Sequence, residues 1–244
     1  MKLIERPIYL ERIKALRGKP DIKVITGVRR CGKSELLKAF ISYLRKIDPE
    51  GNVLYVDLMD LENEHLKEYH ELYAYFTSQY KEGVKNYVLV DEVQMCDHFE
   101  KAINSLYNKK QYDIYITGSN AFMLSSDLAT LFTGRYIEVH VFPFSFAEYL
   151  RYNESQDIDQ CFEKYTLNGG MAGAYAYDTE QDYMGYISGV FNTIITRDLK
   201  QKYRLPDGSV LLKTADYLLD NISNLTSPNG ISDTLTSNKT TTNH

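Results

Sequence analysis

One stretch of the sequence combines two glycines, a lysine and a serine at the spacing of a phosphate-binding loop. Residues 27–34 read GVRRCGKS and fit the pattern G-x-x-x-x-G-K-[ST] without a mismatch. In such a loop the glycines allow backbone N–H groups to point at phosphate oxygens, at a helix N-terminus that favours anions. Lys33 is expected to neutralise the β- and γ-phosphates, and Ser34 to bind Mg²⁺.

The residues around this loop agree with that interpretation. A β-branched run at 22–26 precedes it, and apolar residues recur after it at helical spacing until Asp48-Pro49. The alternative is a glycine-rich turn between a strand and a helix that binds nothing. The residues predicted to contact ATP are Gly27, Val28, Arg29, Arg30, Cys31, Gly32, Lys33, Ser34 and Glu35.

Two adjacent acids follow another apolar run further along the chain. The sequence VLVDE at 88–92 places Asp91 at the carboxyl end of a buried strand, where ligands bind in open α/β sheets. Asp91 is expected to hold Mg²⁺, directly or through water. Glu92 is expected to act as the general base on the attacking water. A strand that ends in a solvated acidic turn is the alternative.

Polar residues also follow the next predicted strand, in the sequence TGSN at 117–120. A side chain at this position could reach between the two acids and the γ-phosphate and orient the water. Serine and asparagine are also favoured at helix N-caps, so a plain turn is the alternative. The pattern does not choose between Ser119 and Asn120, and both are candidate catalytic residues beside Lys33 and Glu92.

The composition narrows the class of protein. Hydrophobic residues make up 43% and charged residues 25% of the 244-residue chain, as in ordinary globular proteins. The net charge of −5 gives no support for non-specific nucleic-acid binding. Three cysteines without a metal-ligand spacing cannot all pair, which favours a reducing cytoplasm. No apolar stretch approaches the ~18 residues that span a bilayer, so we expect no membrane partner.

Between residues 21 and 141, short β-branched runs alternate with amphipathic stretches. This alternation predicts an α/β fold with a mostly parallel sheet covered by helices on both sides. The predicted strands are 22–26, 53–57, 87–91, 114–117 and 136–141. We also expect Asp97 with Glu100, and Ser145 with Glu148, to form capping boxes at the starts of two helices.

After Val141 the pattern becomes helical, with a glycine-rich break at 169–173. We therefore predict a core at 1–150, a helical lid region at 151–205 and a further segment at 206–244. In the last segment, Ser227-Pro228 is a good helix start. Because the chain ends without a closing element, we expect it to be truncated relative to a longer protein.

Together these blocks resemble the bacterial and archaeal AAA-type P-loop ATPases whose core is followed by the domain of unknown function 4143. The resemblance covers essentially the whole chain and is carried by GVRRCGKS, VLVDEVQ, ITGSNAFML, LFTGRYIEVHVFPFSFAEYL, NGGMAGAY and TIITRDL. It implies a five-stranded parallel sheet sandwiched by helices, with ATP and Mg²⁺ bound through Lys33, Ser34 and the acids Asp91 and Glu92. It also implies a winged-helix-like segment, incomplete because the chain stops where a second helix should begin.

The resemblance also assigns a role to Arg135, which precedes the last predicted strand in the sequence TGRY. AAA-type proteins supply an arginine at this position to the nucleotide of a neighbouring subunit. Such a guanidinium stabilises charge on the transferring phosphoryl group and contributes roughly 10³–10⁵ in rate. A homo-oligomer is therefore implied. An arginine paired to a surface carboxylate is the alternative.

Three functions would use the same loop. The first is Mg²⁺-dependent hydrolysis of ATP coupled to a conformational change. The second is a nucleotide-gated switch with little turnover, which regulates a protein or nucleic-acid partner through the C-terminal region. The third is a small-molecule kinase, which Glu92 and the scarcity of arginines in 151–205 argue against. The sequence leaves open the preference for ATP over GTP and the identity of any partner.

Overall fold

Five parallel strands form the centre of the N-terminal part of the chain. The computed structural model describes residues 6–119, 125–203 and 208–240. The strands lie in the order β2-β3-β4-β1-β5, and each neighbouring pair is parallel. Their bounds are β1 Ile22–Gly27, β2 Asn52–Asp57, β3 Asn86–Asp91, β4 Tyr112–Ser119 and β5 Tyr136–His140. The five predicted strands are confirmed, with small differences at their ends.

Helices cover both faces of this sheet. One apolar cluster joins a sheet face to α1 Pro7–Ala15 and α2 Lys33–Ile47. A second cluster joins the opposite face to α3 Tyr69–Ser78, α4 Phe99–Asn108 and α5 Ser125–Phe132. Short 3₁₀ helices occupy Leu61–Lys67 and Val93–Met95. The predicted α/β fold with a five-stranded parallel sheet between helices is confirmed.

Every described element after β5 is helical. The elements are α6 Phe146–Asn153, α7 Ile158–Asn168, a 3₁₀ helix Ala172–Ala176, α8 Glu180–Asn192, a π-helix Thr193–Leu199, α9 Lys200–Lys202, α10 Ser209–Asp220 and α11 Pro228–Thr240. The chain divides into two compact units between Tyr183 and Met184. The predicted boundaries at 150 and 205, and the winged-helix-like character of the last segment, stay predictions. Among the described helices, none has the length and apolarity to cross a membrane.

The two predicted capping boxes have different outcomes. Helix α6 has the expected one, because the Ser145 hydroxyl accepts from the Glu148 backbone N–H at 3.4 Å and Glu148 Oε2 accepts from the Ser145 N–H at 2.9 Å. Helix α4 has His98 as its N-cap instead. The backbone of His98 is left-handed, and its side chain makes no capping hydrogen bond. The prediction for Asp97 and Glu100 is therefore wrong, because Asp97 lies one residue before the N-cap.

The strand register sets a row of polar side chains at the carboxyl edge of the sheet. Asp57 lies opposite Asp91, and Ser119 lies opposite Gly27. The pairing of β3 with β4, continued by one residue, brings Asp91 beside Thr117. Side chains alternate between the faces of a strand. The side chains of Asp57, Asp91, Thr117 and Ser119 therefore project from the same face of the sheet.

Helix α2 covers that face. Leu89, two residues before Asp91, packs in one apolar cluster with Leu37 and Phe40 of α2. Because α2 also follows directly on the glycine-rich loop, the loop, the helix N-terminus and the polar row meet at the same edge of the sheet.

Candidate nucleotide-binding site

The glycine-rich loop has a backbone that only glycine accommodates at two positions. Gly27 has a φ of 153°, and a Cβ there would lie 2.3 Å from the carbonyl oxygen of Val141 and 2.6 Å from Cys31 Sγ. Gly32 has a φ of 98° and is the N-cap of α2. Both glycines of the predicted motif are therefore required by the shape of the loop. At Gly27 the carbonyl group of Val141 and the Cys31 thiol leave no room for a side chain, so the start of the loop packs closely against the rest of the protein.

Lys33 lies inside this loop. Its side chain is 3% exposed, and Nζ donates to the carbonyl oxygens of Gly27 at 3.1 Å and Val28 at 3.2 Å. The first turn of α2, which begins at Lys33, also favours anions through its backbone N–H groups. Ser34 is half-buried beside Lys33. The structure thus places Lys33 and Ser34 at the N-terminus of α2, directly after the loop, and their contact with a triphosphate stays a prediction.

The remaining loop residues differ in accessibility. Arg29 is half-buried, while Arg30 is exposed and takes a left-handed backbone with a φ of 64°. Glu35 is also exposed and accepts from Lys38 at 3.1 Å. Cys31 is buried, and burial raises the pKa of its thiol although Lys33 acts in the opposite direction. The Cys31 thiol is therefore a weak nucleophile, and its part in the site is to fill the loop.

The acid at the end of β3 is buried and held in place. Asp91 is 1% exposed, and the Thr117 hydroxyl donates to its Oδ1. The same hydroxyl oxygen accepts from the Glu92 backbone N–H at 2.9 Å. Thr117 thus fixes both acids, a role that the sequence pattern did not indicate. Thr117 lies beside Asp91 because of the register of β3 against β4, and that register cannot be predicted from a single sequence.

Glu92 faces the loop lysine. Its Oε1 lies 3.9 Å from Lys33 Nζ, and its Oε2 accepts a hydrogen bond from Gln94 Nε2. Its backbone has a φ of 52°, which is unusual for a residue other than glycine. The structure therefore brings together two of the predicted catalytic residues, Lys33 and Glu92, and orients the second through Gln94.

Of the two candidate catalytic residues at the end of β4, the structure describes Ser119 only. Ser119 is 2% exposed, and its hydroxyl has no hydrogen-bond partner within the described residues. It lies opposite Gly27, at the start of the loop. A buried hydroxyl without a partner is unfavourable unless a further group binds there. Asn120, the other candidate, lies outside the described residues.

Two residues near the acids were not predicted from the sequence. Asp57 lies opposite Asp91 in the sheet. The Tyr55 hydroxyl is buried without a hydrogen-bond partner in the described part of the chain. Burial raises the pKa of Tyr55 well above its ordinary range, and the charges of Asp91 and Asp57 add to that shift. Tyr55 and Asp57 are two residues apart on β2, so their side chains lie on the same face of the strand. The pairing of β2 with β3 then places that face beside Asp91.

Oxygen ligands for Mg²⁺ are present at the site. Asp91 at the end of β3 and Ser34 on α2 supply a carboxylate and a hydroxyl, which Mg²⁺ prefers. Among the described residues there is no group of three or more His, Cys, Asp or Glu side chains able to hold a metal ion. The chain's donors thus fit an ion held by a carboxylate, a hydroxyl and phosphate oxygens together.

Arg135 lies at the amino-terminal ends of the strands, whereas the glycine-rich loop lies at their carboxyl ends. Its backbone oxygen accepts from Ile22, the first residue of β1, whereas the loop follows the last residue of β1. A strand of this length spans about 20 Å. The guanidinium donates to Asn108 Oδ1 at 3.3 Å and lies over the Tyr107 ring. The structure therefore does not bring Arg135 to the loop of its own chain.

One further residue anchors the loop from the N-terminal segment. Arg6 is 6% exposed and donates through NH1 to the carbonyl oxygen of Cys31 at 2.8 Å and through NH2 to that of Phe142 at 2.9 Å. It also forms an ion pair with Glu148, with Nε–Oε1 at 2.6 Å. Arg6 thus ties the loop to α6. No sequence pattern signals this contact, because the ion pair joins residues 142 positions apart.

Comparisons with known proteins show the family to which this chain belongs. A family model described as an AAA domain matches residues 19–150. An uncharacterized protein of Haemophilus influenzae is 34% identical over 249 residues, covering 99% of this chain and 62% of that protein. The uncharacterized protein MJ1544 of Methanocaldococcus jannaschii is 29% identical over 217 residues, covering 84% of this chain and 46% of that protein. The chain thus spans less than two thirds of these relatives.

The chain also has a weak similarity to solved structures. The AMPPCP-bound DnaA from Aquifex aeolicus is 17% identical, with a TM-score of 0.43, over 95% of this chain and 77% of that one. PCH-2 of C. elegans is 15% identical, with a TM-score of 0.46, over 78% of this chain and 66% of that one. At these values neither structure bears on the activity of this chain. Because the AAA family model matches more than half of its length, this chain belongs to the AAA domain family.

Proposed function

We propose that this chain binds ATP with Mg²⁺ and hydrolyses it to ADP and phosphate. The observation that carries the proposal is that Nζ of Lys33, directly after the glycine-rich loop, lies 3.9 Å from Oε1 of Glu92, directly after β3. A cation inside an anion-binding loop, with a carboxylate beside it, is the pair that phosphoryl transfer to water needs.

Each residue has a distinct role in this proposal. The Lys33 amine binds phosphate oxygens, together with the N–H groups of the loop and of the first turn of α2. Glu92 accepts the proton of the attacking water, and the buried Ser119 hydroxyl helps to orient that water. Ser34 and Asp91 would hold Mg²⁺, which when bound neutralises phosphate charge. Thr117 keeps Asp91 in place through its hydroxyl.

A steady-state assay of phosphate release, with ATP and GTP compared, tests the proposal. Lys33→Ala removes one cation from the loop and should weaken ATP binding about 10–100-fold, the equivalent of ~1.5–3 kcal/mol for a charged hydrogen bond. Lys67→Ala is the matched control, since Lys67 pairs with Glu64 on an outer 3₁₀ helix. Equal ATP affinity in folded Lys33→Ala and wild type would contradict the proposal.

The two acids separate binding from hydrolysis. Glu92→Gln cannot accept a proton, so it should keep ATP and Mg²⁺ while turnover falls by about 10²–10⁴. Asp91→Asn should instead raise the Mg²⁺ concentration needed for half-maximal activity. A nucleotide-gated switch is the second candidate function, and tight ATP binding by a wild type without turnover would favour it.

We also propose the wider setting of this site. Residues 1–150 form the ATPase core, 151–205 a helical lid region and 206–244 a winged-helix-like segment like that of the ATPases with the domain of unknown function 4143. That last part would contact a protein or nucleic-acid partner. The three cysteines are free and buried, which supports a reducing cytoplasm. The arginine at 135 supports a homo-oligomer in which it reaches a neighbour's ATP.

A further inference from the structure

The carboxylate of Glu92 has two oxygens in different surroundings. Oε2 accepts from Gln94 Nε2, and Oε1 lies 3.9 Å from the Lys33 amine. Gln94 therefore occupies the oxygen that faces away from the phosphate loop. Oε1 is therefore the carboxylate oxygen on the side of the loop lysine.

The backbone around Glu92 cannot by itself fix the carboxylate. Glu92 caps the 3₁₀ helix Val93–Met95 with a left-handed φ of 52°, and its carbonyl oxygen accepts from Met95 at 2.9 Å. Its N–H is held by Thr117. These contacts set the Cα, but the glutamate side chain still has three rotatable bonds. A hydrogen bond at the carboxylate itself therefore contributes to the choice among its orientations.

The side-chain amide of Gln94 forms a hydrogen bond through its nitrogen but none through its oxygen in the described part of the chain. An ionised carboxylate only accepts hydrogen bonds, so the Gln94 NH₂ group has to face Glu92. The Gln94 Oε1 atom is then buried, and it has no hydrogen-bond partner in the described part of the chain. A buried acceptor without a partner disfavours the folded state, so stability alone does not explain a glutamine here.

We propose that Gln94 is a positioning residue for the hydrolytic step: it orients the Glu92 carboxylate so that Oε1 accepts the proton of the attacking water. This inference rests on the proposed ATP hydrolysis, with Glu92 as the base. In this role Gln94 acts only through Glu92, with which its amide forms a hydrogen bond. Removing it leaves the base present but free to rotate, and misplacement of a catalytic group lowers the rate far more than it weakens binding.

The test compares two substitutions at 94 by steady-state kinetics with Mg²⁺ and ATP. Gln94→Ala removes the donor, and kcat should fall about tenfold while KM and the Kd for ATP stay within about twofold. Gln94→Glu keeps the shape but sets a second negative charge against Glu92, so kcat should fall further. Gln160→Ala is the control, since Gln160 lies exposed on α7 and should leave kcat unchanged.

A swapped variant separates positioning from support of the fold. Glu92→Gln/Gln94→Glu keeps one amide and one carboxylate at the pair with their places exchanged. It should unfold at the wild-type temperature and hydrolyse ATP as slowly as Glu92→Gln. A swap that restores turnover would overturn the inference, because orientation at position 92 would then be unimportant.

The outcomes distinguish this inference from the proposed function. Wild-type protein that binds ATP but releases no phosphate overturns hydrolysis, and the role of Gln94 in it. Normal wild-type turnover with an unchanged or higher kcat in Gln94→Ala overturns the inference alone. So does a raised KM at constant kcat, since it would place Gln94 in ATP binding. If Gln94→Ala does not fold, the kcat of Gln94→Met, which is similar in size and uncharged but lacks the donor, decides between the same two outcomes.

Discussion

Arg6 and Glu148 form a buried ion pair in which Nε meets Oε1 at 2.6 Å and NH2 meets Oε2 at 3.1 Å. Both side chains are less than one tenth exposed. The same guanidinium donates to the carbonyl oxygen of Cys31 inside the phosphate loop. One arginine therefore joins the N-terminal segment, the loop and the capping box of α6.

Arg6→Ala should destabilise the protein by about 3–5 kcal/mol, because it leaves Glu148 charged and buried without its partner. Urea unfolding followed by circular dichroism measures this change. Lys67→Ala breaks an exposed pair and should cost below about 1 kcal/mol. Equal effects of the two substitutions would show that the buried pair contributes little.

Glu148 should also make stability depend on pH. Burial alone would raise the pKa of this carboxyl, but the hydrogen bonds from Arg6 and Ser145 leave it lowered. A lowered folded-state pKa stabilises the fold above the ordinary glutamate range, and that contribution is lost as the pH falls through the folded-state pKa. Between about pH 6 and about pH 3, wild type should lose more unfolding free energy than Glu148→Gln. Parallel curves would contradict this assignment.

Thr117→Val removes the hydroxyl that joins the two acids and keeps the size of the side chain. The Glu92 N–H loses its acceptor, which should cost about 1–3 kcal/mol of stability. Asp91 loses its donor, so the Mg²⁺ concentration for half-maximal ATPase activity should rise roughly tenfold. Thr166→Val, on an exposed turn of α7, is the control. An unchanged Mg²⁺ titration would mean that Asp91 does not depend on Thr117.

Gly27→Ala should distort the phosphate loop. The new Cβ would meet the Val141 carbonyl oxygen at 2.3 Å, so the loop has to move. Affinity for ATP, measured by calorimetry, should fall at least about tenfold, the equivalent of ~1.4 kcal/mol of distortion. Gly83→Ala is the matched control, because Gly83 also has a positive φ but no atom of the described residues would lie within 4 Å of its Cβ. Weakened ATP binding in the control would point to general strain.

Arg135 should act on a neighbouring subunit, because it lies at the sheet edge opposite to its own loop. Specific activity should then rise with protein concentration. Mixing Arg135→Ala with Lys33→Ala should restore some phosphate release, since an intact Lys33 site can receive Arg135 from its neighbour. No recovery in mixtures, under conditions where wild type is active and oligomeric, would make Arg135 a structural residue that holds Asn108.

The sequence alone predicts those elements whose pattern lies within a short stretch of the chain. The loop 27–34 and the five strands depend on residues close together, and the structure has them where the patterns indicate. Arg6 and Thr117 could not be found in this way, because their partners come from distant segments. The start of α4 was misplaced because His98 takes a left-handed backbone, which moves the N-cap past Asp97.

The strand order also determines when the site can form during folding. Strand β1, which carries the phosphate loop, lies between β4 and β5, the last two strands of the sheet to be synthesised. Contacts between such distant segments form slowly, because a long stretch of chain has to be closed first. The carbonyl of Val141, against which Gly27 packs, follows β5 in the chain. A nascent chain therefore cannot pack Gly27 against residue 141 until that residue has left the ribosome, so the loop reaches its final shape only after all five strands have been synthesised.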